Sequence, residues 1–222
     1  SPVHEVCIPV DTEITQERID SFCVIPNTDG ARAKDPNRFL YDAFILEKGL
    51  IETPEDWRMW FYLGQSYHDC GSPESAIEPF KKCAENTSWL EEKGVAFLRV
   101  ARIYHRLEGF EVALPWYWKS WEANPHRGEA LYEIIKHYRE QNMFNVGAAI
   151  GDLFLQCDYN KSEMLFIEQS VYEWQAKDDI SVCYFYVGRR DESQKLVEEI
   201  LEVPHIPHDC RERITKNKGF FK

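Results

Sequence analysis

Residues Trp60 to Cys83 read WFYLGQSYHDCGSPESAIEPFKKC, and their spacing decides the fold. Trp60, Leu63, Gly64 and Tyr67 fall at i, i+3, i+4 and i+7, which is one stripe of a helix. After the breaker Cys70-Gly71-Ser72-Pro73, the residues Ala76, Phe80 and Cys83 fall at i, i+4 and i+7, a second stripe. The pattern recurs downstream with substitutions. A second copy is Phe97, Val100, Ala101, Tyr104, Ala113, Tyr117 and Ser120, closed by Pro125; a third is Leu131, Ile134, Ile135, Tyr138, Gly147, Gly151 and Phe154. A fourth, Ile180, Ser181, Tyr184, Ser193, Val197 and Ile200, lacks the leading aromatic. A period of roughly 34 residues marks a stacked array of helix pairs.

Turn residues sit between the two stripes of every copy: Gly71, Leu107-Glu108-Gly109, Gln141-Asn142 and Val187-Gly188. Small residues (Gly64, Ala76, Ala101, Ala113) let paired helices approach closely. Pro73 suits a first helical position, whereas Pro79 and Pro115 lie deep enough to kink or weaken their helices. The pattern W-x2-L-G-x2-Y-x8-A-x3-F resembles the tetratricopeptide repeat. That resemblance implies an all-α, right-handed superhelix of antiparallel helix pairs, about nine to eleven helices in all. Between the third and fourth copies the phase is about a dozen residues too long. The stretch EMLFIEQSVYEW, Glu163 to Trp174, is apolar-periodic through Leu165, Ile167, Val171 and Trp174 and is expected to be an inserted helix. Upstream, Asp35 to Leu50 predicts the second helix of a preceding half-copy, with Ala43, Leu46 and Leu50 inward.

The first residues differ in kind. Val3–Val10 and Ile19–Ile25 are short, β-branched and bounded by Pro, Asp and Asn, so they are expected to be strands. The expected organisation is a β-containing segment over 1–33, the repeat domain over 34–203 and a C-terminal tail over 204–222. The start at Ser1-Pro2, without Met, favours a cut chain.

A second resemblance runs along most of the chain. Val3-His4-Glu5, Gly30-Ala31-Arg32, Asp35-Pro36, Phe61 to Tyr67, Ala130-Leu131-Tyr132-Glu133 and Leu165-Phe166-Ile167-Glu168 look like the C-terminal region of family-2-type glycosyltransferases. In those proteins a GT-A catalytic domain continues into tetratricopeptide-like helices. The resemblance implies a parent enzyme that uses a nucleotide sugar and a divalent metal, Mn or Mg, with the catalytic domain in cis. Such chemistry needs a D-x-D pair on the diphosphate-bound metal. The chain has none, Asp11-Thr12-Glu13 being the nearest imitation, so no cofactor is expected within these residues. His4, with Glu5 beside it, is the one candidate toward that metal; its ordinary reading is a strand residue near a terminus.

Composition excludes several function classes. A formal net charge of −12 over 222 residues argues against general nucleic-acid binding. No apolar run approaches the roughly 18 residues of a membrane span, and no signal-peptide pattern opens the chain. The 7 cysteines lack C-x-x-C spacing, which suits reduced thiols and a cytoplasmic setting. No Ser/His/Asp or Cys/His signature is visible. His205, His208, Asp209 and Cys210 have crude metal-ligand spacing, but prolines interrupt them and a solvated tail is the plainer expectation.

The first helix of each pair carries a cationic stripe: Arg58, Gln65 and His68, then Arg102 and His105, then Lys136 and Arg139. In an acidic protein such a stripe points to an anionic partner in the groove, against the ordinary reading of solvated faces with i,i+4 pairing. Trp89, Trp116 and Trp118 are surplus to the repeat pattern and could fill gaps between repeats or stack on a partner. The resulting expectation is a non-catalytic module of a glycosyltransferase that positions a protein or glycan acceptor, with self-association as a further role. The alternative is a stand-alone scaffold that binds an anionic peptide or protein in its groove.

Overall fold

The computed structural model describes residues 34–158 and 163–221. The predicted strands, His4 and Glu5 lie outside the described residues. Among the described residues ten α-helices follow one another: α1 Arg38–Glu52, α2 Trp57–Asp69, α3 Pro73–Asn86, α4 Leu90–Leu107, α5 Phe110–Ala123, α6 Glu129–Glu140, α7 Phe144–Phe154, α8 Ala176–Tyr186, α9 Arg190–Leu201 and α10 His208–Lys218. No strand occurs among the described residues. The pairs α2/α3, α4/α5, α6/α7 and α8/α9 coincide with the four copies.

Each pair turns in the same way. Gly71, Gly109 and Gly188 take φ of 85°, 97° and 85°, and Asn142 takes 58°. A left-handed residue there lets the chain double back while the last helical carbonyls stay bonded. The repeat tyrosine supplies the carbonyl every time. Ser72, Met143 and Arg189 donate their backbone N–H to the carbonyls of Tyr67, Tyr138 and Tyr184 at 2.9, 2.8 and 2.9 Å, and Gly109 donates to Tyr104 at 3.1 Å.

The chain divides into two compact units, with the boundary between Cys83 and Ala84. In the first, Ala43, Leu46 and Leu50 of α1 pack with Leu63 of α2. This is the half-copy that the sequence predicts. Phe61 meets Phe80 edge-on at 5.5 Å. Gly64 has no room for a side chain: a Cβ there would stand 2.8 Å from the fully buried Phe80 ring. Tyr67 donates to Glu47 Oε1 at 2.5 Å, and that bond, aided by burial, pushes its phenol up to about 12.

In the second unit, Ala101, Ala113, Tyr117, Leu131, Ile134, Ile135, Ile180 and Cys183 belong to one core, each at 0% exposure. All but Cys183 are motif positions of copies two to four. Pro79 and Pro115 sit inside α3 and α5, which run on past them. Buried neighbours hold both helices: Ala76 and Phe80 in α3, Ala113 and Tyr117 in α5.

Two segments depart from expectation. Glu163–Trp174 is not an inserted helix. Residues 163–168 are irregular, Phe166 is left-handed at φ 51°, and helix begins only at residue 169. It then passes through a π-helical turn, Val171–Gln175, into α8. Side chains from other helices bond the backbone of this segment and so compete with helix formation. The segment expected as a solvated tail forms α10, because Ile214, at 0% exposure, joins Val197, Ile200 and Ile206 in a second cluster.

The Gly64–Phe80 contact yields a measurable coupling. Gly64→Ala should lower urea-unfolding stability by about 1–3 kcal/mol, and by much less in a Phe80→Leu background. Equal costs in the two backgrounds would show that helix approach at this position is not what excludes a side chain.

Candidate functional site

The predicted stripe divides between the two units. In the first, Arg58 Nη2 donates to the Tyr62 hydroxyl at 3.1 Å, with its guanidinium 5.3 Å from that ring. Gln65 donates to Asp69 Oδ1 at 2.8 Å, and His68 Nδ1 lies 3.2 Å from the same oxygen. These are the i,i+4 and neighbouring contacts of an ordinary helix face.

In the second unit the cations belong to a connected network. Arg102, on α4, places Nε 2.7 Å from Glu133 of α6. Its two terminal nitrogens hold Glu168, one of them at 2.8 Å. Burial works against the Arg102 charge, yet Glu168 and Glu133 hold its pKa above the ordinary guanidinium value. Burial would likewise raise Glu168, but Arg102, with Arg99 and Arg127 beyond it, keeps its carboxyl below the usual carboxylate range. His105 Nδ1 lies 3.0 Å from the Tyr117 hydroxyl, a contact inside a helix pair. Lys136 is exposed and, among the described residues, forms no ion pair. Arg139 Nε stands 2.7 Å from Asp179 Oδ1. The distance is short, but the Nε–H is not aligned with an acceptor among the described residues, and Nη2 donates to Glu140 Oε1 at 3.4 Å. Arg102 and Arg139 are therefore balanced by carboxylates on neighbouring elements.

Residues that the sequence reading passed over complete the site. Arg127, in the loop between α5 and α6, is 6% exposed and Glu129 only 1%. Arg127 Nε and Nη2 bond the Glu129 carboxylate at 3.1 and 2.5 Å, and the Tyr172 hydroxyl donates to it at 2.6 Å. Glu129 stands in the first turn of α6, where the helix dipole favours an anion. Pointing the other way, Arg127 donates to the carbonyls of Leu165 at 2.7 Å and Phe166 at 3.2 Å. Glu91 on α4 accepts from the backbone N–H of both Met164 and Leu165 at 3.0 Å. Glu91 and Arg102 lie about three turns apart on one side of α4. The face of α4 and α6 thus grips a length of irregular main chain through its amides, its carbonyls and one carboxylate. The visible signal was limited to Arg-Gly-Glu at 127–129, a loop arginine beside a helix-starting glutamate.

Trp116, on α5, packs against Tyr104 of α4 at 5.8 Å, and Trp118 meets Trp121 of the same helix at 5.9 Å while packing, half-buried, against the core. Trp89 is 40% exposed. Among the described residues no group of three or more His, Cys, Asp or Glu could hold a metal ion. No described helix is long and apolar enough to cross a membrane.

Comparison with known proteins bears on the fold. No family model and no curated protein matches the chain. Among solved structures, the crystal structure of MamA is similar with a TM-score of 0.56 at 18% identity, covering 88% of this chain and 99% of that one. YrrB, described as a TPR protein with an unusual peptide-binding site, is similar with a TM-score of 0.54 at 16% identity, covering 81% of this chain and 84% of that one. At such identities the likeness shows the architecture, a tetratricopeptide-like helical repeat.

Asp179 supplies a pH test of the network. Burial pushes its carboxyl up to about 6; Arg139 pulls against that and the adjacent Asp178 adds to it. The unfolded chain ionises near pH 4, so the folded state binds more protons between about pH 4 and 6, and stability falls as pH rises through that window. Asp179→Asn should therefore gain on the parent protein as pH rises from about 4 to 7.5, by up to about 3 kcal/mol. A stability difference independent of pH, measured by urea unfolding, would contradict the assignment.

Proposed function

We propose that this chain is an interaction module of the tetratricopeptide type that binds an extended segment of a protein partner. One observation carries the reading: in the second unit Glu91 on α4 and Arg127 in the loop before α6 bond amides and carbonyls of a non-helical segment. A surface able to hold main chain in this way is suited to a peptide. The repeat fold shared with YrrB, which is described as having a peptide-binding site, supports the same reading. The preferred partner is anionic, since Lys136 is exposed on α6 and Arg99 on α4 is half-buried.

The finer reading makes the module the C-terminal part of a glycosyltransferase, with a GT-A domain in cis that uses a nucleotide sugar and a divalent metal. It rests on the short sequence motifs alone. The scaffold reading is preferred because the neighbours support the repeat, and the match to MamA spans 99% of that chain.

A panel of acidic ten-residue peptides and their Gln/Asn counterparts, titrated against the full chain by fluorescence polarisation, tests the proposal. Acidic members should bind, weaken with added salt, and lose about threefold to tenfold in affinity on Lys136→Glu. Indistinguishable signals from acidic and neutral peptides would refute it.

A further inference from the structure

The chain's own residues 163–168 are held on the α4/α6 face as a peptide ligand would be. Asn124 Nδ2 donates to Glu163 at 3.1 Å, Glu91 takes the amides of Met164 and Leu165, and Arg127 takes the carbonyls of Leu165 and Phe166. The Arg99 guanidinium stands 5.3 Å from the centre of the Phe166 ring, Arg102 clasps Glu168 with two nitrogens, and the Glu168 amide donates to Glu129 at 3.4 Å. The receiving groups are fixed independently of what they receive. Arg102 is braced by Glu133 at 2.7 Å and Arg127 by Glu129 at 2.5 Å. A prearranged set of donors and acceptors lowers the ordering cost of a ligand.

The segment itself is weakly built into the core. Met164 is 72% and Phe166 44% exposed. Phe166 has a positive φ of 51°, a strained conformation for an aromatic residue. Polar clasps, little buried apolar surface and backbone strain describe a bound strand that can leave. Burial resumes only at Val171, within the π-helical turn.

We infer that the α4/α6 face is a recognition site for an extended peptide bearing a carboxylate two residues after an aromatic side chain, and that Glu163–Glu168 occupies it as an internal ligand. This rests on the interaction-module reading and adds a regulation to it: a partner segment binds by displacing the chain's own. A tethered ligand acts at an effective concentration on the order of millimolar. An external peptide with the same contacts therefore binds weakly until the tethered copy is loosened.

The test uses the full chain and a labelled peptide copying residues 163–169, EMLFIEQ. Glu168→Gln in the chain removes the charge that Arg102 clasps while keeping the side-chain shape. This variant should bind the peptide about tenfold more tightly than the parent chain. The effect should disappear when the sixth residue of the peptide is changed from Glu to Gln. A second variant, Phe166→Ala with Glu168→Gln, also removes the ring that Arg99 faces while keeping the backbone strain, and should bind at least as tightly as the single variant. Unchanged peptide affinity in both variants overturns the proposal, as does equal binding of the charge-neutral peptide. Loss of the helical circular dichroism signal in Glu168→Gln overturns it too, because the fold does not depend on a displaceable ligand. The interaction-module reading survives such failures if the acidic panel still binds in a manner sensitive to Lys136→Glu, since the partner then uses another part of the face.

Discussion

Close approach of helices at glycine and alanine positions is the constraint on which this structure depends. A Cβ on Gly64 would sit 2.8 Å from the Phe80 ring, and one on Gly147 would sit 2.6 Å from Cys183 Sγ. At each of these two contacts a glycine faces a bulkier side chain, so the helices meet only in a register that keeps the two opposed. The hairpin geometry that makes this possible is set locally. A left-handed Gly or Asn reverses the chain, and the carbonyl of the repeat tyrosine closes the turn. Because both devices act within or between adjacent helices, the array is assembled from contacts close in sequence.

That locality explains what could be read from the sequence. The motif residues of all four copies recur at fixed offsets, and each copy's turn falls where Gly71, Gly109, Asn142 and Gly188 stand. The half-copy through Ala43, Leu46 and Leu50 was legible for the same reason. Residues 163–168 were not. Their apolar spacing has a helical period, but Glu91 and Arg127, distant in sequence, claim the backbone groups that a helix would use internally. The α10 helix was hidden because a single buried residue, Ile214, ties it down, and one apolar position creates no period.

The candidate site failed to show itself for a related reason. Helical spacing placed Arg102 and Arg139 on the first helix of their pairs and could not reveal their partners. Glu133 and Glu168 balance the first, and Asp179 the second, each contributed by another element. Arg127 and Glu129 escaped notice although they are more deeply buried than any residue of the expected stripe. Breaking such a buried pair from one side costs about 3–5 kcal/mol, which sets the anchor of the site apart from the more exposed groups that would select a partner. Arg127 links the two roles by bonding the core carboxylate on one side and main-chain carbonyls on the other.

The central claim is that residues 163–168 rest on the repeat array as a removable strand and are no part of its core. Hydrogen–deuterium exchange resolved to short peptides measures this directly. The account predicts that these amides exchange through local opening, far faster than those of Leu131–Ile135, which open only with the whole unit. Protection of 163–168 equal to that of Leu131–Ile135 would contradict it.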